Sequence, residues 1–256
     1  MPDIKFLSDR KSEVFPDQWY TLAREDHFWM QWRVKAFLKQ LKGLKVDLNS
    51  FNKVLEIGCG DGVLRRQLEA NSSWVIDGAD INMDALKRTG TVRGSTYFYD
   101  IFDRRPEFSG QYDAVILFDV LEHISDEKAF LDAVKFHLKK GGWLFTNVPA
   151  LQGLYSRYDE AVGHLRRYDK AMMQEAVNAA NFKVVDMRYW GFSMLPLLSV
   201  RRAMVKDAKA TEETIRRGFE PPGEMANRMM KVIMGLETSV MQYPPSGSSL
   251  LAAARS

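Results

Sequence analysis

A glycine-rich turn between two carboxylates is the first place in this chain where residue types and spacing point to chemistry. Residues 54–62 read VLEIGCGDG, a short apolar run followed by a turn and the start of a helical pattern. Glycines at such a junction let the backbone turn sharply and approach a ligand closely, and the helix start directs N–H groups at it. Glu56 and Asp61 would repel a pyrophosphate and attract a ligand that carries an ammonium and a sulfonium group.

The spacing of the glycines separates two kinds of cofactor. A dinucleotide loop has the spacing G-x-G-x-x-G, whereas this loop has the spacing G-x-G-x-G. Together with the two acids, this spacing favours S-adenosylmethionine over NAD. The alternative is an ordinary strand-to-helix turn with exposed acids.

Two further acids stand where later apolar runs end. Asp80 follows the loop by about 20 residues, a position from which a carboxylate can accept hydrogen bonds from both ribose hydroxyls. Alternatively, Asp80 caps the helix that follows it. Asp100 offers a carboxylate to an adenine amino group, with Ile101 as an apolar wall. Because aspartate after a strand is also common turn chemistry, Asp100 is a weaker indication by itself.

If the ligand is S-adenosylmethionine, the reaction to consider is methyl transfer, which is an in-line displacement at the methyl carbon. An oxygen or amine acceptor also needs a base within hydrogen-bond reach to remove its proton. His164 is the first candidate for that base, because it lies in the loop after the fifth predicted strand. Substrate-facing loops come from this position in open α/β sheets. His123, after the fourth strand, is the second candidate, and a structural or capping role is the alternative for both. His137 lies on a helix beside two lysines and is expected to be solvated.

Four residues near His164 are candidates for holding the acceptor. Arg166 and Arg167 could bind a phosphate or carboxylate, since the guanidinium fork suits both. They could equally pair with acids that hold the loop, namely Asp159, Glu160 or Asp169. Tyr155 and Tyr158 are candidate pocket walls. We therefore expect a small-molecule acceptor of anionic or hydrophobic character.

The composition excludes several other classes of protein. The 256 residues are 46% hydrophobic and 27% charged, which is typical of one large globular domain. Since 36 basic residues are scattered among 33 acidic ones, nucleic acid is not expected as a partner. A single cysteine excludes a disulfide framework, and without a cluster of His and Cys no metal site is predicted. The chain shows neither a signal peptide nor about 18 consecutive apolar residues, so we expect a cytoplasmic protein without stable membrane insertion.

Strand and helix patterns alternate through most of the chain. Strands are predicted at Lys53–Ile57, Trp74–Asp77, Thr96–Tyr99, Ala114–Phe118, Trp143–Asn147, Lys183–Tyr189 and Ser249–Ala254. Helices are predicted from about Asp26 to Gly43 and at Val63–Ala70, Asp84–Arg88, Glu127–Leu138 and Lys170–Ala180. This alternation indicates a doubly wound α/β fold, with a mostly parallel sheet covered on both faces.

The same pattern predicts a single domain over residues 1–256 that has four parts. An N-terminal arm and helix occupy residues 1–45, a Rossmann-like core residues 46–191, a helical insertion or lid residues 192–243, and a final strand residues 244–256. The insertion is rich in methionine, a residue that adapts to irregular apolar ligands. Ordinary packing is the favoured explanation, and we expect the lid to shape an acceptor pocket in a monomer or homodimer.

Four stretches, in this order, resemble class I S-adenosylmethionine-dependent methyltransferases: VLEIGCGDG, the acid of GADI, the Tyr99-Asp100 pair and YDAVILFDVLEHI. The resemblance covers roughly residues 25–192 together with the final strand. It implies a Rossmann-like sheet of seven strands, the last of them antiparallel. It also implies a cofactor site lined by Glu56, Gly58, Cys59, Gly60, Asp80, Ile81, Asp100 and Ile101, with Phe118 and Asp119 beneath the methionine end.

Three further stretches resemble the type 11/12 group of small-molecule methyltransferases, many of which belong to glycan, lipid or natural-product pathways. They are His27-Phe28-Trp29 with Arg33, the GHLRRY stretch at residues 163–168, and the ending at residues 244–254. By this resemblance the N-terminal helix lies over the cofactor, and His27 and Trp29 contact the acceptor.

These features predict methyl transfer from S-adenosylmethionine to a small molecule, with S-adenosylhomocysteine as the product. Oxygen is the favoured acceptor atom, and nitrogen and carbon stay open. One alternative is a methyltransferase-like partner subunit that binds the cofactor but is inactive. An NAD(P)-dependent oxidoreductase is a second alternative, against which the glycine spacing and Glu56 argue. Methylation of RNA or protein is a third.

Overall fold

Eight strands form a single mixed sheet in the part of the chain that the structure describes. The structure, a computed structural model, describes residues 2–13, 24–204, 214 and 223–256. Its strands are β1 (Ile4–Phe6), β2 (Val54–Ile57), β3 (Ile76–Asp80), β4 (Thr96–Phe98), β5 (Tyr112–Phe118), β6 (Leu138–Pro149), β7 (Lys183–Trp190) and β8 (Ser249–Arg255). Their order in the sheet is β1-β4-β3-β2-β5-β6-β8-β7. Neighbouring strands are parallel except at β8, which is antiparallel to β6 and to β7. The predicted antiparallel last strand is therefore confirmed.

Helices cover both faces of this sheet. The described helices are α1 (Phe28–Gly43), α2 (Val63–Glu69), α3 (Met83–Leu86), α4 (Glu127–His137), α5 (Arg157–Ala161), α6 (Lys170–Ala179), α7 (Leu195–Met204) and α8 (Glu224–Val240). Alternate strand residues face opposite sides, so Leu55 packs in a buried cluster with α4 and α6, and Val54 packs in another with α1 and α2. The two-sided burial confirms the doubly wound α/β fold.

The first strand corrects two expectations at once. The sequence predicts an arm over residues 1–26 and a sheet of seven strands, whereas β1 adds an eighth strand parallel to β4. Three residues are too few for an alternating pattern to show, and Phe6 is 68% exposed at this edge of the sheet. Residues 14–23 of the predicted arm lie outside the described residues.

His137 is the second correction, because it is fully buried at the end of α4 instead of solvated. Its Nδ1 lies 2.8 Å from the carbonyl oxygen of Ala133, and its Nε2 lies 3.0 Å from the hydroxyl oxygen of Tyr99. A carbonyl only accepts, so Nδ1 carries the hydrogen and Tyr99 donates to Nε2. The two lysines that suggested a solvated helix end belong to β6, which starts at Leu138.

The helical insertion lies between the last two strands in the chain, as predicted. Met194 and Met234 are buried in the cluster that includes α1, and α8 packs against α1. Residues 205–213 and 215–222 of this insertion lie outside the described residues. Within the described parts of the chain, no helix combines the length and apolar character that crossing a membrane requires.

Candidate active site

The glycine loop lies between β2 and α2, where its backbone adopts conformations that suit glycine. Gly58 and Gly60 have φ of +73° and +53°. A Cβ on Gly58 would lie 2.5 Å from Cγ2 of Val120, so a side chain is excluded there. The N–H of Gly60 donates to Oδ2 of Asp80 over 2.7 Å, and the N–H of Asn82 donates to Oδ1 of the same carboxylate over 2.7 Å. The loop and Asp80 therefore hold each other in place.

A cavity of about 490 Å³ opens above this loop at the carboxyl ends of β2, β3, β4 and β5, a size that suits a small-molecule cofactor. Nine of the ten residues predicted for the cofactor line it: Glu56, Gly58, Cys59, Gly60, Asp80, Ile81, Asp100, Phe118 and Asp119. Ile101 does not, because it begins a short 3-10 turn and packs into the core, 2% exposed. Its neighbour Phe102 lines the cavity instead.

The N-terminal segment also reaches this cavity. Arg10 forms an ion pair with Asp100, and the N–H of Asp100 donates to Oγ of Ser8 over 2.7 Å. The N–H of Glu13 donates to the carbonyl of Ile81 over 2.9 Å. Arg10 and Glu13 are among the lining residues, which the sequence pattern did not predict.

Two residues that line the cavity each carry a buried polar atom without a hydrogen-bond partner among the described residues. Glu56 is 4% exposed, its Oε2 has no partner, and burial raises its pKa to about 8. Arg33, on α1, is 5% exposed, and its Nε has no partner. An unsatisfied acceptor and an unsatisfied donor on residues that line one cavity suit the ammonium and the carboxylate of an amino acid. The residues present therefore fit the methionine end of S-adenosylmethionine.

Asp119 follows β5 in a left-handed conformation, with φ of +59°. Its carboxylate accepts hydrogen bonds from Nη1 of Arg33 over 2.6 Å and from Nδ2 of Asn147 over 2.7 Å. Asn147 is held in turn by Nε1 of Trp190, which donates to Oδ1 over 2.9 Å. This network joins α1 to the ends of β5, β6 and β7 and fixes the floor of the cavity.

A second, smaller cavity of about 120 Å³ adjoins the first. Asp119 and His164 line both cavities. Of the residues predicted to hold the acceptor, His27, Trp29, Tyr158 and Arg167 line the second cavity. The other walls include Phe28, Glu122, Met194, Leu198, Arg201, Ser248 and Ser249.

Two predicted acceptor residues lie outside both cavities. The hydroxyl of Tyr155 donates to the carbonyl of His164 over 2.7 Å, and Arg166 pairs with Glu127. Arg167 does line the smaller cavity, yet its guanidinium donates to both carboxylate oxygens of Asp159, over 2.8 and 3.1 Å. Arg167 therefore has a partner that was predicted for it in holding the loop, whereas Arg166 pairs with Glu127, an acid outside the predicted set.

His164 is oriented by a buried carboxylate. Its Nδ1 lies 2.9 Å from Oδ1 of Asp159, a residue that is fully buried. Burial opposes ionisation of Asp159, but the hydrogen bond from His164 and the charge of Arg167 prevail and lower its pKa to about 2. An ionised carboxylate only accepts, so Nδ1 carries the hydrogen and Nε2 of a neutral ring has a free lone pair. That nitrogen is 3.8 Å from Oε1 of Glu122.

Beside His164 stand two further titratable groups. The His123 ring lies 4.9 Å from the His164 ring between centroids, and burial together with the charge of His164 lowers the pKa of His123 to about 4. Glu122 is fully buried, neither of its oxygens finds a hydrogen-bond partner among the described residues, and burial raises its pKa well above the usual range. The carboxyl of Glu122 and the imidazole of His123 therefore lie beside His164, and burial opposes the charged form of each.

The fold also creates a possible set of metal ligands that the sequence does not reveal. One ligand atom from each of Glu122, His123 and His164 lies within 4.8 Å of the others. A carboxylate and two imidazoles are donors that Zn²⁺ accepts. No metal site is predicted from the sequence, because His164 is distant from the other two in the chain and the spacing is not that of a known metal motif.

The model of a methyltransferase-domain family matches residues 22–187, well over half of the chain. The chain belongs to this family. The resemblance to class I S-adenosylmethionine-dependent methyltransferases is thereby confirmed.

Curated relatives of this methyltransferase domain include two ubiquinone biosynthesis O-methyltransferases. The protein from Marinobacter nauticus is 30% identical over 102 residues, which cover 37% of this chain and 43% of the relative. The protein from Vibrio parahaemolyticus is 29% identical over 147 residues, which cover 53% of this chain and 59% of the relative. This chain therefore spans about half the length of the curated relatives it matches.

Solved methyltransferases share the fold at low sequence identity. One is the methyltransferase in complex with the Trm112 activator from Haloferax volcanii, with a TM-score of 0.59, 16% identity and coverage of 95% of this chain and 99% of that one. Another is a SAM-dependent methyltransferase from Archaeoglobus fulgidus, with a TM-score of 0.52, 16% identity and coverage of 87% and 94%. These likenesses show that the chain shares the fold of solved methyltransferases.

Proposed function

We propose that this methyltransferase domain transfers a methyl group from S-adenosylmethionine to an oxygen atom of a small-molecule acceptor, with His164 as the general base. The observation that carries the proposal is that Asp119 and His164 line both the larger and the smaller cavity. A methyl group passing from a cofactor in one cavity to an acceptor in the other would cross this boundary. A base located there is within reach of the reacting atom.

The larger cavity would hold the cofactor by three groups of contacts. Glu56 and Arg33 would bind the ammonium and carboxylate of the methionine end, since each has a buried, unpartnered atom in the described structure. Asp80 would accept from the ribose hydroxyls with the lone pairs that its two backbone donors leave free. Asp100, at the far end of the cavity, would contact the adenine.

In the proposed reaction, an acceptor hydroxyl gives its proton to Nε2 of His164 while its oxygen attacks the methyl carbon. The new C–O bond forms as the C–S bond breaks, and the bond electrons stay on sulfur, which leaves neutral S-adenosylhomocysteine. Asp159 keeps the imidazole in the tautomer that has Nε2 free and then stabilises the imidazolium that forms. The rest of the rate comes from holding the oxygen, carbon and sulfur atoms in line.

The acceptor would be small and partly apolar. Phe28, Trp29 and Met194 supply apolar walls, and the ring of Tyr158 lies under the guanidinium of Arg201 at 4.5 Å. Oxygen is the proposed acceptor atom because the curated relatives carry the name O-methyltransferase. A cytoplasmic location and a monomer or homodimer belong to the same proposal.

The test separates cofactor binding from turnover. We expect titration calorimetry to give micromolar affinity for S-adenosylhomocysteine and no binding of NADH. With S-adenosylmethionine and a panel of small hydroxylated acceptors, the protein should form S-adenosylhomocysteine, and His164→Ala should slow this by about 100- to 10,000-fold. Full activity of His164→Ala would remove it as the base, and cofactor binding without turnover on any acceptor would favour an inactive partner subunit.

A further inference from the structure

Two side chains of helix α8 accept hydrogen bonds from elements that border the smaller cavity, and the carbonyl of Thr238 on α8 also accepts from Nζ of Lys39 on α1. Asn227, near its start, contacts the first residue of α1, and Glu237, near its end, contacts the segment before α7. The two positions are ten residues apart in the chain, which corresponds to about 15 Å along a helix. Both contacts are polar, so they are additional to the apolar packing of the methionines on α8.

Glu237 is the stronger of these two contacts. It is 8% exposed, and its carboxylate accepts four hydrogen bonds from three consecutive residues. Oε1 accepts from the N–H of Gly191 over 2.8 Å and of Phe192 over 3.0 Å. Oε2 accepts from the N–H of Ser193 over 2.8 Å and from its hydroxyl over 2.7 Å. Hydrogen bonds to an ionised acceptor are about twice as strong as neutral ones, so this cluster fixes the segment firmly.

The segment that Glu237 holds leads directly into one wall of the cavity. Met194 and Leu198, which follow it, both line the cavity. On its other side the segment packs against Ser248, also a lining residue. A Cβ on Gly191 would lie 2.1 Å from Oγ of Ser248, and Gly191 has φ of +75°, so its backbone has little freedom to shift.

Asn227 holds the opposite wall. Its Oδ1 accepts from the N–H of Phe28 over 3.1 Å, which satisfies one of the free donors at the start of α1. His27, Phe28 and Trp29 at this helix start all line the cavity. One rigid helix therefore contacts both the α1 wall and the α7 wall.

We infer that α8 is a brace that sets the width of the acceptor cavity, and that Glu237 is a positioning residue for the acceptor. This inference rests on the proposed function, in which the smaller cavity holds the acceptor. It assigns a role to the lid beyond packing, because Glu237 fixes Met194 and Leu198 relative to His164 without touching the reacting atoms. A shift of about 1 Å in such a wall is enough to lower a rate about 100-fold.

The decisive variant is Glu237→Gln, which keeps the size of the side chain but removes its charge. It also replaces one acceptor oxygen by an NH2 group, which would face N–H donors. We expect the acceptor KM to rise about tenfold or more, with affinity for S-adenosylhomocysteine within about twofold of the original. Glu237→Asp, which retains the charge, should recover part of the loss. Glu224→Gln is the matched control, since Glu224 is an exposed carboxylate on the same helix paired with Arg228, and it should change neither quantity.

Hydrogen exchange measured by mass spectrometry tests the brace without any acceptor. In Glu237→Gln we expect faster exchange over residues 191–200 and unchanged exchange over the glycine loop at residues 58–62. Faster exchange throughout the protein, with weaker binding of S-adenosylhomocysteine, would reduce Glu237 to a general stabilising role and overturn the inference. An unchanged acceptor KM in an active protein would also overturn it.

Absence of turnover in the unmodified protein would count against the proposed function, while the exchange experiment still decides whether the brace exists.

Discussion

Arg33 of α1 and Asp119 at the end of β5 form an ion pair, with Nη1 and Oδ2 separated by 2.6 Å. Nε of Arg33 is buried without a hydrogen-bond partner among the described residues, and Arg33 is one of the residues that line the larger cavity. One guanidinium therefore fixes the turn at Asp119, and in the proposed function it would also donate to the carboxylate of the cofactor. The cation is positioned by its partner before any cofactor arrives.

Replacing Arg33 by methionine tests this double role. We expect Arg33→Met to weaken S-adenosylhomocysteine binding by about 10- to 100-fold, the equivalent of losing a charge-assisted hydrogen bond. Titration calorimetry measures the change. Lys35→Met, an exposed position on the same helix, is the control and should leave the affinity unchanged. Equal affinities for Arg33→Met and the control would remove Arg33 from the cofactor site.

Cofactor binding should release a proton from Glu56. Burial raises the pKa of this carboxyl to about 8, so near pH 7 it is mainly protonated in the free protein. An ammonium group beside it favours the ionised form and lowers the pKa, and the proton leaves to the buffer. Calorimetric titration with S-adenosylhomocysteine in two buffers of different ionisation enthalpy should give a release approaching one proton per protein. Glu56→Gln should bind more weakly and release none, and an equal release from that variant would assign the proton to another group.

Local motifs explain why most of the residues predicted for the cofactor line one cavity. The glycine loop and Asp80 occupy fixed places after consecutive parallel strands, so their spacing in the chain determines their spacing in the fold. Ile101 was assigned to the same site, but the direction of a side chain in a short turn depends on the core beneath it. The 3-10 turn buries Ile101 and turns Phe102 to the cavity.

Other side chains were not placed correctly from the sequence, because their surroundings depend on segments that are distant in the chain. Arg33 was noted only as part of a resemblance, although an arginine on the buried face of a helix is a signal in itself. Glu122 joins His164 only because the loop after β6 folds back over the end of β5. His137 was misplaced because the two lysines beside it begin a strand instead of ending a helix.

The Asp159–His164 contact predicts a specific loss of turnover. Asp159→Asn would remove the charge that stabilises the imidazolium and could present an amide donor to Nδ1, which favours the wrong tautomer. We expect turnover to fall by at least about 100-fold, with affinity for S-adenosylhomocysteine nearly unchanged. Glu160→Gln, an exposed neighbour on α5 that pairs with Arg157, is the control and should retain activity. Circular dichroism must show that Asp159→Asn is folded, because Asp159 also binds Arg167.

The buried His137 predicts a loss of stability in mild acid. Burial lowers the pKa of His137 in the folded state, whereas the unfolded value is about 6.5. The unfolded chain therefore binds more protons as the pH falls below about 6.5, and folding stability from this group decreases until the folded pKa is reached. Urea unfolding between pH 7.5 and 5 should show this decrease, and His137→Gln should show a shallower one. Identical slopes for the two proteins would mean that other groups cause the acid sensitivity.

A metal ion at Glu122, His123 and His164 would compete with the proposed chemistry, because it would occupy the imidazole nitrogen that must accept the proton. We therefore expect turnover to survive dialysis against EDTA and to be inhibited by micromolar ZnCl₂. His123→Asn removes one ligand and should make the protein less sensitive to zinc, which separates binding at this site from binding elsewhere on the surface. Loss of activity on chelation, with recovery when a divalent ion is restored, would instead make the ion part of the active site and remove His164 as a free base.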